Sequence, residues 1–265
     1  MVNTVIFKYM VIALLLTAMS VNVYADAEGK GFVSGRALLA SGKPMQNAVA
    51  LFYIRQQGPA PLPDRYWRVP EAIVPIDSDG TFTAELQEGD YYVGAIGRES
   101  SKLAPGPPVE GDSIVLVRGK DGKPLIVTVK EGATVDLGAQ KGHVYRKPRR
   151  DLKNKITTVE GIITLEDGTP VPNAFVFAFN SPDRGSKPVF ASEKTDKSGI
   201  YVLKVDGDGT FFLKARDAYG GGKPQNGQLM GTFGGDDPTP VILTAGKRIK
   251  GIDIKVKSIQ RPDGN

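Results

Sequence analysis

Apolar and polar residues alternate with a period of two along most of this chain. Val33, Gly35, Ala37 and Leu39 fall on one side of an extended segment, and Val159, Gly161, Ile163 and Leu165 do so again. Residues two apart share a face only in a strand, so both segments are read as half-buried β-strands. Residues 48–53 and 174–179 are instead apolar at every position. This predicts strands covered on both faces, central in a sheet or overlaid by the loop that follows. Two more alternating runs, Phe82, Ala84, Leu86 and Tyr201, Leu203, Val205, start from the turn sequences Asp77-Ser78-Asp79-Gly80 and Asp196-Lys197-Ser198-Gly199. Helical periodicity is missing downstream of the first 25 residues, and turn signals arrive about every eight to twelve residues. A parallel sheet would need crossover helices that the pattern does not offer.

The same pattern is written twice. Gly35, Pro44 and Asn47 recur as Gly161, Pro170 and Asn173 at a constant offset of 126 residues (161 − 35, 170 − 44, 173 − 47), with Gly42-Lys43-Pro44 matching Gly168-Thr169-Pro170. Later the offset is 119 (201 − 82), so the first copy carries a longer loop between its second and third strands. What repeats is glycine, turn residues and alternating apolar positions rather than acids, bases or nucleophiles, so the repeat specifies a scaffold. The chain is predicted to be all-β: two tandem Greek-key antiparallel β-sandwich domains of about seven strands each. The expected boundaries are a signal peptide over 1–25, domain one over 26–141, a basic linker over 142–156, domain two over 157–259 and a tail over 260–265.

The first 25 residues are of another kind. Lys8 precedes an apolar run over 10–19, and Val23-Tyr24-Ala25 places small residues before Asp26. This reads as a cleaved secretory signal, because a spanning helix needs about 20 apolar residues. The mature chain is accordingly expected to lack a transmembrane segment and to be exported, to the periplasm or to the cell surface and exterior. With no cysteine, neither domain can rely on a disulfide, and each is expected to fold on its own core without the other.

Composition also narrows the chemistry. The single histidine, His143, lies in the basic linker, away from any nucleophile–base pair, and neither a CxxC nor an HExxH zinc pattern is present. Gly220-Gly221-Gly222-Lys223 is followed by Pro224, which bars the standard phosphate loop. The acidic turns at Asp77–Asp79 and Asp206–Asp208 lack the twelve-residue ligand spread of a calcium loop and are explained as Asx turns. The sequence is therefore read as non-catalytic, with no cofactor and no metal site.

The order Val-x-Gly, Gly-x-Pro, Asn-Ala before an apolar strand, then Thr-Asp-x-x-Gly-x-Tyr over 195–201, resembles the carboxypeptidase regulatory-like domain, a transthyretin-like module grouped with Cna-B-like sandwiches. The resemblance covers about residues 31–140 and 157–258. The first copy departs from it with Ile76-Asp77 in place of Thr-Asp and with its expanded loop. Such a resemblance implies an accessory, adhesive or ligand-presenting module in an exported protein. Some relatives bind carbohydrate, and the peptidase part itself has no counterpart here. Cna-B relatives sometimes carry a lysine–asparagine cross-link, but the closing strands over 134–140 and 251–258 contain no asparagine.

Function is then sought in loops, where sandwich proteins keep their variation. The loop over 55–75 is proline-rich and holds Tyr66-Trp67-Arg68, including the only tryptophan. A flat aromatic flanked by a cation suits a sugar ring or a protein partner, so these three residues are the candidate ligand or partner contact. The alternative is that Trp67 folds back to cap the sandwich edge. The glycine-rich loop over 216–240 is read as a flap under which Tyr219, Met230 and Phe233 pack. The basic stretch over 141–155 is read as a solvated linker or an anionic-surface contact, with nucleic acid excluded as partner. The expected role is binding or scaffolding with an envelope or extracellular protein, or else with polysaccharide.

Overall fold

The computed structural model describes residues 29–98, 106–147, 156–183, 185–220 and 224–260. The signal peptide and the tail beyond residue 260 lie outside them, as does 148–155 of the basic stretch. Module one contains β1 (Lys30–Leu38), β2 (Ala48–Ile54), β3 (Trp67–Arg68), β4 (Ala72–Pro75), β5 (Thr81–Gln87), β6 (Gly89–Gly97), β7 (Ser113–Leu116), β8 (Val127–Val129), β9 (Thr134–Lys141) and β10 (His143–Val144). Module two contains β11 (Thr157–Leu165), β12 (Phe175–Phe179), β13 (Pro188–Ala191), β14 (Ile200–Val205), β15 (Gly209–Arg216), β16 (Leu229–Thr232), β17 (Val241–Leu243), β18 (Arg248–Ile249) and β19 (Ile254–Ser258). The protein is all-β, as the alternation requires. The count passes seven per module because strands of two to four residues are too short to show a period.

Each module is two facing sheets. In module one β5-β1-β9 face β10-β7-β6-β2-β4, with β8 also on β6. In module two the order β14-β11-β19-β16-β15-β12-β13 repeats this plan, with the two sheets joined where β16 pairs with β19. One expectation is corrected: the sheets are not purely antiparallel. β9 runs parallel to β1, and β18 and β19 run parallel to β11. The closing strand reaches β1 by crossing from the opposite sheet, so no hairpin fixes its direction, and period-two alternation looks alike in either sense.

The repeated residues do local work. Asn47 and Asn173 hold φ of 46° and 62°, the left-handed region that asparagine tolerates better than most side chains. Gly199 has φ of 72°, and a Cβ there would stand 2.4 Å from the Ile163 carbonyl oxygen; Gly80 makes the same close approach to Ala37. The Thr195 hydroxyl accepts from the Ala174 N–H and donates to the Val171 carbonyl, closing the turn before β14. Ile76 takes that place in module one and packs into the core instead. The glycine-rich stretch over 216–240 is a strand rather than a flap in part, since β16 pairs with both β15 and β19 in the position β7 holds in module one.

Among the described residues the buried side chains form three clusters. One fills module one around Val33, Phe52, Phe82 and Val93, and another fills module two around Val159, Ile163, Leu203 and Leu213. The third lies between them and draws Leu51, Tyr53, Trp67, Ile96 and Tyr145 from the first module with Phe175, Phe177 and Phe179 from the second. The wholly apolar strands explain it. Ala48, Ala50 and Phe52 face the core of module one while Leu51 and Tyr53 face the third cluster. In β12 Val176 and Ala178, with Ala174 just before the strand, face the core of module two while the three phenylalanines face the third cluster. The cover over the second face is the other module, so a shared cluster is added to the core that each module has of its own.

Candidate functional site

The loop between β2 and β4 leaves module one and becomes part of module two. β3 adds to the edge of β13 in antiparallel register, Arg68 opposite Phe190 and Trp67 opposite Ala191. The Val69 N–H donates to the Val189 carbonyl at 2.9 Å and extends this pairing. An exposed strand edge readily accepts another strand, and here the acceptor is satisfied from within the same chain.

The three candidate contact residues are all placed by this addition, and none is open to solvent. Tyr66 enters the core of module two, edge-on to Phe190 at 5.5 Å and 90°, and its hydroxyl donates to the Ala60 carbonyl at 2.8 Å. Trp67 stands edge-on to Tyr53 and donates its indole N–H to the Tyr219 hydroxyl at 2.7 Å. Arg68 is 0% exposed. Its guanidinium donates to the carbonyls of Gly58 (3.0 Å), Pro59 (2.6 Å) and Ile54 (3.3 Å) and lies 5.8 Å from the Tyr53 ring centre. A sugar ring needs one free aromatic face, and both rings are buried at the junction of the modules. The contact these residues make is therefore with their own chain, and the cap they form closes the other module's edge rather than their own.

Of the residues that complete the junction, Tyr219 was expected to pack under the glycine-rich loop, while Tyr145, Arg98 and Asp112 were not singled out. Tyr219 packs at 5.3 Å from Phe175 and 5.4 Å from Phe177. Burial raises its hydroxyl pKa above the ordinary tyrosine value, against the opposing Trp67 hydrogen bond. Burial likewise raises Tyr53 and pushes Tyr145 up to about 12, with Glu193 adding to the latter. Tyr145 belongs to the stretch assigned to the linker, yet its N–H donates to the Asp112 carbonyl at 2.6 Å and β10 pairs with β7. The buried Arg98–Asp112 pair at 2.7 Å holds the same loop, Arg98 also donating to the Gly106 carbonyl at 2.8 Å. Lys187 with Glu71 and Lys147 with Glu193 bridge the modules at the surface. The available signal for all this was the pair of strands with no polar position.

At the rim of the junction Pro63, Arg65, Trp67, Pro107, Tyr145, Glu193, Val202 and Lys204 line a cavity of about 30 Å³, room for one or two waters and no more. In the first of the acidic turns the Asp79 carboxylate accepts from the Thr81 N–H and hydroxyl, and in the turn before β14 the Asp196 carboxylate accepts from the Ser198 and Ile200 N–H groups. Among the described residues no group of three His, Cys, Asp or Glu side chains stands together as metal ligands. Nor is any helix among them long and apolar enough to cross a membrane.

No family model and no curated protein matches this chain. Among solved structures it is similar to the Bacillus anthracis TIE protein (16% identity, 87% of this chain, 34% of that chain, TM-score 0.26). It is also similar to a streptococcal ancillary pilin (11% identity, 88% and 63% covered, TM-score 0.25). The shaft pilin SpaA from Lactobacillus rhamnosus GG is a third (11% identity, 88% and 99% covered, TM-score 0.24). The chain spans about a third of the first of these and under two thirds of the second, and at TM-scores of this size the likenesses carry no argument about what it does.

Proposed function

We propose that this chain is a non-catalytic scaffolding protein of the bacterial envelope or exterior, built from two carboxypeptidase-regulatory-like modules welded into one rigid unit. The observation that carries the reading is the addition of β3 to β13 over a shared aromatic cluster. A flexible tether between binding domains needs neither a donated strand nor a dry core between them, whereas a part that must hold two surfaces at fixed separation needs both. The engaged state of Trp67, Tyr219 and Arg68 agrees, since their polar atoms serve packing. Export rests on Lys8 and the apolar run over 10–19, and the partner in this reading is an envelope or extracellular protein.

Backbone nitrogen-15 relaxation tests the central claim. Both modules should report one rotational correlation time, that of the whole mature chain; two shorter, independent times would refute the welded unit. Titration with a polysaccharide panel should leave Trp67 fluorescence unchanged. A saturable shift would instead return the molecule to the carbohydrate-binding reading.

A further inference from the structure

The small cavity at the rim of the junction is where positive charge is left unmatched. Stretches of chain from both modules meet around it and bring Arg65, Trp67, Tyr145, Glu193, Val202 and Lys204 together. Glu193 is the acid of its wall, and Lys147 already neutralises that carboxylate. Neither Arg65 nor Lys204 makes an ion pair among the described residues. The Arg65 Nε is moreover buried with no acceptor, a cost that lasts until one arrives. The Tyr145 hydroxyl reaches the Pro63 carbonyl at 3.5 Å, the far limit of a hydrogen bond. Beyond the wall, the charges of Glu110 and Asp64 act on Tyr145 and that of Asp206 on Tyr66. Glu110 is paired with Arg146, and among the described residues neither aspartate pairs with Arg65 or Lys204. What the wall lacks is an anionic acceptor.

Size says which acceptor fits. A volume of about 30 Å³ holds two water-sized atoms, the two oxygens of a carboxylate. A phosphate or sulfate head brings four oxygens and is too large, and a uronate sets a sugar ring against the opening. Glutamate and aspartate carry the same head on a thin methylene stalk. The main chain at the rim suits such a visitor as well. The Ile163 N–H donates to the Gly199 carbonyl, which fixes the ladder so that Val202 and Lys204 turn their N–H and C=O groups away from β11. These groups find no hydrogen-bond partner among the described residues, and they are what the backbone of an extended peptide bonds. Building on the reading that the partner is a protein, we propose that the cavity is a carboxylate subsite, which takes the side-chain tip of a glutamate or aspartate from an extended partner segment lying along Val202 and Lys204. Because the wall is drawn from both modules, the subsite exists only in their joined state.

Trp67, the only tryptophan, lines the cavity and reports on it. Titrating the full mature chain with sodium acetate at constant ionic strength should give a saturable fluorescence shift in the millimolar range, and the neutral isostere acetamide should give none. Acetyl-glutamate amide should act as acetate does, whereas acetyl-glutamine amide and glucuronate should not. Arg65→Gln and Lys204→Gln should each weaken acetate binding by about tenfold or more with melting unchanged. No response to acetate, an equal response to acetamide, an acetate response indifferent to both substitutions, or a response to glucuronate as strong as that to the glutamate probe would each overturn the proposal. The first three outcomes leave the scaffold reading intact, since the rotational correlation time judges it; the fourth counts for the carbohydrate-binding reading instead.

Discussion

The two modules share a strand plan but treat the strand beside the doubly buried one in opposite ways. In module one that edge strand is β4, paired with β2 and ending in Pro75, which has no N–H to offer a neighbour. In module two it is β13, where the proline, Pro188, stands at the start of the strand and the residues after it take β3 from the other module. The loop that differs in length between the copies is the one that supplies β3. Duplication thus gave two equal sandwiches, and the inserted loop made them unequal, one a donor and the other an acceptor. Tyr66 sharpens the point, for it sits in the core of the module to which it does not belong in sequence.

The comparison can be broken most severely by cutting the chain. Module two expressed alone over 156–260 loses β3, Tyr66 and the cover over Phe175, Phe177 and Phe179, and should bind a hydrophobic dye and aggregate. A soluble domain with a sharp melting transition would contradict the shared core. Alkali attacks the same place more gently. Tyrosine in an unfolded chain has a pKa of about 10. Burial holds Tyr53, Tyr66, Tyr201 and Tyr219 above the ordinary value and Tyr145 at about 12. A raised acid keeps its proton in the folded state while the unfolded chain gives it up. Stability should therefore be intact below pH 10 and fall progressively as the pH rises through 12, followed by denaturant midpoints.

A single side chain probes the junction next. Phe177→Ala should cost about 3–5 kcal/mol, against under about 0.5 kcal/mol for Ile242→Ala on the exposed face, in urea unfolding. Equal losses would mean that the third cluster contributes little. The smallest effect concerns what the modules share: Asn47→Ala and Asn173→Ala should each cost about 1–2 kcal/mol, because alanine resists positive φ, while glycine at either place should be nearly neutral. Different losses at the two sites would show that the turns are not equivalent.

The strands that alternate over several residues were legible, because one wet and one dry face leave a period of two. So were the turns, where Gly80, Gly199, Asn47 and Asn173 meet backbone angles or close approaches that few residues allow. β3 was not legible, for two residues show no period, and the parallel sense of β9 was hidden because alternation has no direction. Tyr66, Trp67 and Arg68 were found as a special group, but their partner was not. An aromatic and a cation side by side announce contact with something, and only packing says whether that is a ligand or the rest of the chain.

By itself, the sequence determined that this protein is a duplicated all-β chain with two strands that carry no polar position. Tertiary structure alone decided that these two strands cover each other's modules and that module one lends β3 to module two. Periodicity is set by neighbours along the chain, whereas these outcomes depend on surfaces meeting from more than 100 residues apart, as Trp67 and Tyr219 do at a sequence separation of 152.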